Sequence, residues 1–200
     1  MNQLDRHWAT TTSSSRRPTR AGGAVVLFLC LTVPLAAVAT TLEEAEEYEA
    51  KTALLYAFAK FVKWPDEAFA HVDSPFVFAV MGENPFGDAL NSLRDKRIHG
   101  RRIDVRSFAS IDEFEPCQLL FCDQHWLEEL SERDPLLFEG NHILTAGESA
   151  QFTETGGIVC ISVSGDHLGF KINAAAARRA RLELSSSLFK LAESIIDSAE

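Results

Sequence analysis

Glu47–Pro65, EYEAKTALLYAFAKFVKWP, is a helical run that becomes apolar almost all round and stops at Trp64-Pro65. A surface helix needs a single apolar stripe, so a helix with more must bury the excess in a core, a dimer seam or a partner. The position before a proline disfavours helical angles, which ends the helix by about Lys63. The rest of the chain has to supply the cover.

Downstream, strands and helices alternate. Phe76 to Met81 is a continuous apolar run of strand length, and Asn84-Pro85 opens a helix to about Leu93. Ile103, Val105 and Ser107 alternate with Asp104 and Arg106, as in a half-exposed strand. Ser110 caps a short helix, Leu119 to Cys122 is a buried strand, and Gln124 to Arg133 is helical up to Asp134-Pro135. His142 to Thr145 is a short strand. Gly156-Gly157 leads into the strand Ile158 to Val163, and Gly165-Asp166 turns the chain into Leu168 to Ile172 as an antiparallel hairpin. Asn173 caps a helix from Ala174 to Arg181, and Ser185 starts a last helix through Leu188, Leu191, Ile195 and Ile196. The order predicts a single α/β domain. Its sheet is mostly parallel with a C-terminal antiparallel hairpin at the edge, and helices cover both faces.

Residues 1–39 read as a cleavable export signal. Arg6, Arg16, Arg17 and Arg20 form a basic n-region, Ala24 to Leu35 a short apolar core, and Ala37-Val38-Ala39 a cleavage signature ahead of Thr40. The apolar core is shorter than the roughly 20 residues a bilayer requires, and no later segment is longer, so no membrane span is expected after cleavage. Residues 40–200 then form the domain. Removing four Arg and one Asp takes the formal charge from −10 to −13. That excludes nucleic-acid binding through a general positive field.

Cys117, Cys122 and Cys160 remain in a compartment that permits disulfides. In an extended strand Cys117 and Cys122 sit about 16 Å apart at roughly 3.3 Å per residue, too far for a bridge. Either Cys160 pairs with Cys117 or Cys122, or all three are buried, inert thiols.

Tests for chemistry give little. Gly82-Glu83-Asn84-Pro85-Phe86-Gly87 has the glycine spacing of a phosphate loop, but Asp88 stands where such a loop needs Lys. The sequence has no zinc-binding His-Glu-x-x-His and no Gly-x-Ser-x-Gly elbow. Cys122-Asp123-Gln124-His125 could bring a thiolate to an imidazole, without an evident third group to orient it. No catalytic residue, metal ligand or cofactor site emerges, and a non-enzymatic protein is expected. Arg94, Lys96, Arg97, Arg101, Arg102 and Arg106 form a local basic run suited to an acidic partner, or simply to solvent.

Several stretches in succession resemble the YfiR-like family of periplasmic repressors. Tyr48, Lys51, Tyr56, Phe58, Ala59, Lys60, Phe61, Trp64 and Pro65 match its first helix. Gly82 with Pro85-Phe86-Gly87 and Leu90 is similar to its Gly-x-x-Pro-Phe-Gly turn. Gly100-Arg101, Ile103, Val105, Arg106, Cys117 and Leu119 to Phe121 follow its next two strands. Ile143-Leu144-Thr145, Phe152, Gly156-Gly157-Ile158, Phe170, Ile172-Asn173, Ala177 and Leu184-Ser185-Ser186 follow its C-terminal half. The resemblance implies an α/β fold, a homodimer, and a regulator that holds the periplasmic region of an inner-membrane diguanylate cyclase inactive. That would lower cyclic-di-GMP and biofilm formation. Cys122 and Cys160 lie where the family has apolar strand residues, so a redox-tuned repressor is not implied.

The candidate partner or dimer contacts are Tyr56, Phe58, Lys60, Phe61, Trp64 and Pro65, aromatic residues flanked by a cation. The alternative is a periplasmic small-solute module feeding a sensor or transporter, with its ligand at Gly82, Pro85, Phe86 and Gly87, where strand ends open a crevice.

Overall fold

The computed structural model describes residues 35–165 and 167–197, with side chains described from residue 43 onward. The leader expected over residues 1–39 lies outside the described residues except for Leu35–Ala39, which are the first residues of a helix.

That helix, α1 (Leu35–Phe61), is the longest element. Leu55, Phe58, Ala59 and Val62, spaced as one helical stripe, are fully buried. The chain continues directly into β1 (Val62–Lys63), which pairs antiparallel with β9 (Glu183–Leu184) in a two-stranded ribbon.

The remaining strands form one eight-stranded sheet. In chain order they are β2 (Phe76–Met81), β3 (Arg97–Ile98), β4 (Arg101–Phe108), β5 (Leu119–Phe121), β6 (Leu144–Gly147), β7 (Val159–Ser164), β8 (His167–Asn173) and β10 (Ser194–Ile196). Across the sheet the order is β10-β8-β7-β6-β5-β2-β4-β3. Pairings are parallel from β4 through β7 and between β8 and β10; the β7–β8 hairpin and the β3–β4 turn are antiparallel. The mostly parallel α/β reading therefore holds.

Alternate strand residues feed two cores. Phe76, Phe78, Val80, Leu119, Phe121, Val159 and Ile161 face α1 together with α3 (Ala174–Arg179) and α4 (Ser186–Leu191). Val77, Ala79, Met81, Leu120, Cys122 and Cys160 face α2 (Gln124–Arg133), whose Leu127 and Leu130 are buried. Phe152 on the α2 side is fully buried against Gly147 and Gly157, and a Cβ at either glycine would run into its ring.

Three expectations are corrected. The helix from Ser185 stops at Leu191, and Ser194–Ile196 is a strand parallel to β8. The spacing of Leu188, Leu191 and Ile195 suits a helix, but the adjacent β-branched Ile195 and Ile196 suit a strand, and β8 offers an open edge. The hairpin is therefore not the sheet edge, because β10 covers β8. The segment after Pro85 is a 3-10 helix, Gly87–Leu93, not an α-helix.

Asn173 caps α3 as the sequence predicts: its Oδ1 accepts from Ala176 N–H (2.8 Å), while its Nδ2 donates to Thr153 C=O (2.7 Å). Asn173→Ala removes a cap and leaves a buried carbonyl unpaired, so urea unfolding should show a loss of roughly 2–4 kcal/mol. Asn173→Ser keeps a cap acceptor while giving up the bond to Thr153, and should lose less than Asn173→Ala; equal losses would reject this division of labour.

Candidate functional site

The C-terminal half of α1 divides the candidate contact residues by exposure. Phe58 is 0 % exposed, edge-on to Phe170 with ring centroids 4.8 Å apart, and is thereby removed from any contact surface. Trp64 is half-buried. Its ring stands edge-on to Phe76 at 4.9 Å, and its Nε1–H donates to His142 C=O at 2.9 Å. His142 is held at φ 59°, a backbone region that non-glycine residues rarely adopt, as is Arg181 at φ 55°, whose carbonyl lies 3.4 Å from the His142 ring. Trp64 thus ties the end of α1 to two strained turns. Pro65 is half-buried beside it.

Tyr56, Lys60 and Phe61 face outward. Tyr56 donates its hydroxyl to Arg97 C=O (3.1 Å), and its ring lies between two ammonium groups, Lys96 at 4.9 Å and Lys60 at 5.7 Å. Cation–π attraction holds both charges near the surface of the ring. Arg97 lies directly opposite Arg102 across β3–β4. Like charges in that position repel. Among the described residues, none of Lys60, Arg94, Lys96, Arg97 or Arg102 has a carboxylate within ion-pair distance. Arg101 donates instead to the carbonyls of His71, Val72 and Ser74 and covers the Phe69 ring. Arg106 pairs with Asp104 and Glu115, so it leaves the basic run. Of the basic run, then, Arg106 alone is neutralised by carboxylates; Arg101 is anchored on backbone carbonyls, and Lys60, Lys96 and Arg97, which donates to Gly100 C=O, carry their charge near Tyr56 without a carboxylate partner among the described residues.

At the opposite end of α1 the charge reverses. The turn after β2 carries Gly82 at φ 82°, where a Cβ would meet the Trp126 indole, so glycine is required both by backbone and by space. Pro85, Phe86 and Gly87 line a groove of about 410 Å³ with Glu44, Tyr48, Glu49 and Asp88. Phe86 itself is buried, edge-on to Phe121 and Tyr48. A second cavity, of about 190 Å³, lies between the ends of β2, β5 and β6, lined by Glu83, Pro85, Phe121, Asp123 and Glu148. Both are acidic, which rules against phosphate and suits a cationic group.

Between these ends sits a charge that sequence reasoning passed over. Lys51 is 2 % exposed, with its Nζ 2.5 Å from Glu47 and 2.8 Å from Glu148 and 4.2 Å from the Tyr48 ring centre. Burial alone would lower the lysine pKa, but hydrogen bonds to Glu148 and Glu47 outweigh it and the net shift is upward. Only Glu47, one helical turn away, was visible as a partner. Glu148 arrives through the fold.

The three thiols are chemically quiet. Cys117, Cys122 and Cys160 are buried and free, and neither pairing of Cys160 is formed. Burial pushes the Cys117 thiol up to about 12 and raises Cys122 and Cys160 as well. Cys160 donates to Ser149 C=O at 3.0 Å. His125 points to solvent and reaches Glu129 at 3.4 Å. A buried, protonated Cys122 and a solvent-facing His125 do not make a nucleophile. Among the described residues no helix is long and apolar enough to cross a membrane.

The profile of the YfiR/HmsC-like family matches residues 48–193, and the chain belongs to that family. No curated protein matches the chain.

Two measurements check this site. Glu47→Ala/Glu148→Ala leaves a buried ammonium unpaired and should cost about 3–5 kcal/mol in urea unfolding, with part recovered by adding Lys51→Met. Because the folded pKa of Lys51 lies above the unfolded one, its stabilisation is complete below the ordinary lysine value and should vanish as pH rises through the folded value. At pH 8 a thiol reagent should leave Cys117, Cys122 and Cys160 unlabelled until denaturant is added; prompt labelling would contradict their burial.

Proposed function

We propose, starting from membership of the YfiR/HmsC-like family, a family of periplasmic regulators of diguanylate cyclase signalling, that this protein is exported and binds the periplasmic region of an inner-membrane cyclase. It holds the cyclase in its low-output state and so lowers cyclic-di-GMP. Regulation of this kind requires tighter binding to the inactive state than to the active one, and only that difference shifts the equilibrium. The observation that carries the reading is the match over residues 48–193, which runs from the C-terminal half of α1 through every strand up to β9 and α4.

The contact surface that best suits such a partner is the free basic patch around Tyr56, with Lys60, Lys96 and Arg97, bordered by Trp64 and Pro65. Unpaired cations beside a fixed aromatic ring favour an acidic segment on the partner. Phe58 has no part in it, being core.

A solute-binding reading has one specific observation in its favour. β2 passes to β4 on one side and β5 to β6 on the other, so the 190 Å³ cavity between their ends lies at a topological switch point. Its carboxylates select a small organic cation.

Membranes solubilised from cells should yield the cyclase on tagged protein. Lys96→Glu/Arg97→Glu, on exposed positions, should weaken its retention roughly tenfold with folding intact. Deleting the protein should raise cyclic-di-GMP. Unchanged retention by the charge-reversed variant would remove the patch as the contact. A melting temperature raised by amines and unaffected by the partner would favour the solute reading.

A further inference from the structure

Two cavities adjoin beside α3. The larger, of about 370 Å³, is lined by Thr153, Glu154, Asn173 and Ile196, and its size falls among ligand pockets, which run from about 300 to 1,000 Å³. The smaller, of about 180 Å³, is lined by the apolar Pro135, Phe138, Ile158 and Ala176, with Glu139. Thr155, Gly156 and Arg179 belong to both and form the shared wall. Gly156 stands at φ 103°, a backbone region that side chains rarely adopt, and a Cβ there would have open space around it, so bare backbone borders the cavities. Thr153 is 1 % exposed, and its hydroxyl has no hydrogen-bond partner among the described residues. A buried hydroxyl left unpaired costs stability, so one beside a cavity marks a bond open to a ligand.

We infer that the two cavities together bind a neutral sugar with a small apolar substituent, an N-acylated hexose being the simplest, its ring in the larger cavity and its acyl group in the smaller. Charge selects the class. Glu139, Glu154 and Arg179 are exposed and, among the described residues, form no ion pair. An anion would meet two carboxylates, and a cation would meet the guanidinium. A hydroxyl both donates and accepts, so a ring of hydroxyls can serve the carboxylates and the guanidinium at once. Thr153 favours the same choice. A charged group brought to a buried, uncharged hydroxyl gives up its water without gaining a counter-charge, whereas a sugar hydroxyl exchanges one neutral hydrogen bond for another. Thr155 Oγ1 donates to Phe152 C=O at 3.2 Å, which leaves its lone pairs for the ligand. Asn173 is already engaged with Ala176 N–H and Thr153 C=O and holds the wall in place. Pro135, Phe138, Ile158 and Ala176 offer a hydroxyl nothing and gain from burying a methyl group.

The inference stands apart from the regulatory reading and is tested without the cyclase, on protein expressed from the full chain. In calorimetric titration N-acetylglucosamine should bind about tenfold more tightly than glucose, which lacks the acyl group, and should raise the melting temperature. Gluconate, protonated glucosamine and alanine, an anion, a cation and a zwitterion, should each bind at least tenfold more weakly than N-acetylglucosamine. Thr153→Val removes the hydroxyl at nearly constant shape. It should leave the melting temperature unchanged or raised, because no bond is lost, while binding falls about tenfold. Arg179→Ala, at an exposed position, should weaken binding by a similar factor with an unchanged circular dichroism spectrum. Binding of none of these probes overturns the inference, as does a charged probe that binds more tightly than N-acetylglucosamine. Equal affinity for glucose overturns the place given to the acyl group. Full affinity in both variants puts the sugar elsewhere, and a lowered melting temperature in Thr153→Val shows that the hydroxyl already has a partner; either result overturns the site.

Discussion

The burial of Leu55, Phe58, Ala59 and Val62 closes one face of a parallel sheet, and most of the fold is organised around that contact. Parallel strands cannot be joined by tight turns, so both sheet faces carry crossovers and both need apolar cover. On the α2 side the crossovers themselves provide it. On the other side the cover is α1 from the N-terminal part of the chain, with α3 and α4 beside it, and the apolar rows of β2, β5, β6, β7 and β8 converge on these helices. Phe58 against Phe170 and Trp64 against Phe76 fix its position from two directions. Removing this helix would expose a contiguous aromatic surface rather than loosen one element.

α1 also carries the molecule's charge separation. Its N-terminal half, with the loops at the strand ends, is acidic. Its C-terminal end, with β3 and the start of β4, is basic. Lys51 sits between them inside the core boundary, its ammonium shared by one carboxylate of its own helix and one from the loop after β6. Such a shared charge tolerates neither a shift of the helix along its axis nor a withdrawal of the loop without stranding the lysine. Charge here sets register; apolar contact supplies the bulk of the stabilisation.

What could be read in the sequence follows from the range of each interaction. Phe76–Met81 is apolar at every position because both of its faces are covered, and its boundaries are legible for that reason. α2 is bounded by Asp123, whose Oδ1 accepts from Trp126 N–H, and by Pro135, both local signals. The difference between Phe58 and Phe61 was also present, since Leu55, Phe58, Ala59 and Val62 share one stripe and Phe61 falls off it. Other features had no local trace. Glu148 lies far along the chain from Lys51. The two-residue strands β1, β3 and β9 are too short for any period. The final Ser194–Ile196 strand depends on an edge that only the finished sheet presents. In the basic run, Arg106 is neutralised by Asp104 and Glu115 and Arg101 is anchored on backbone carbonyls, and neither set of partners follows from composition.

The short ribbon of β1 and β9 has a consequence for how the molecule comes into being. It joins Val62 to Leu184 and Lys63 to Glu183, so the first helix is finished off by a strand close to the other end of the chain. A chain is made from its N-terminus, and long loops must close before such contacts reward the closure. Along α1 itself the carboxylates from Glu43 to Glu49 and Lys60 near its end are the charges that keep the outer side of the helix polar. The ribbon needs the chain as far as Leu184, so a chain truncated before β9 would leave Val62 and Lys63, at the end of its first helix, without their strand partner.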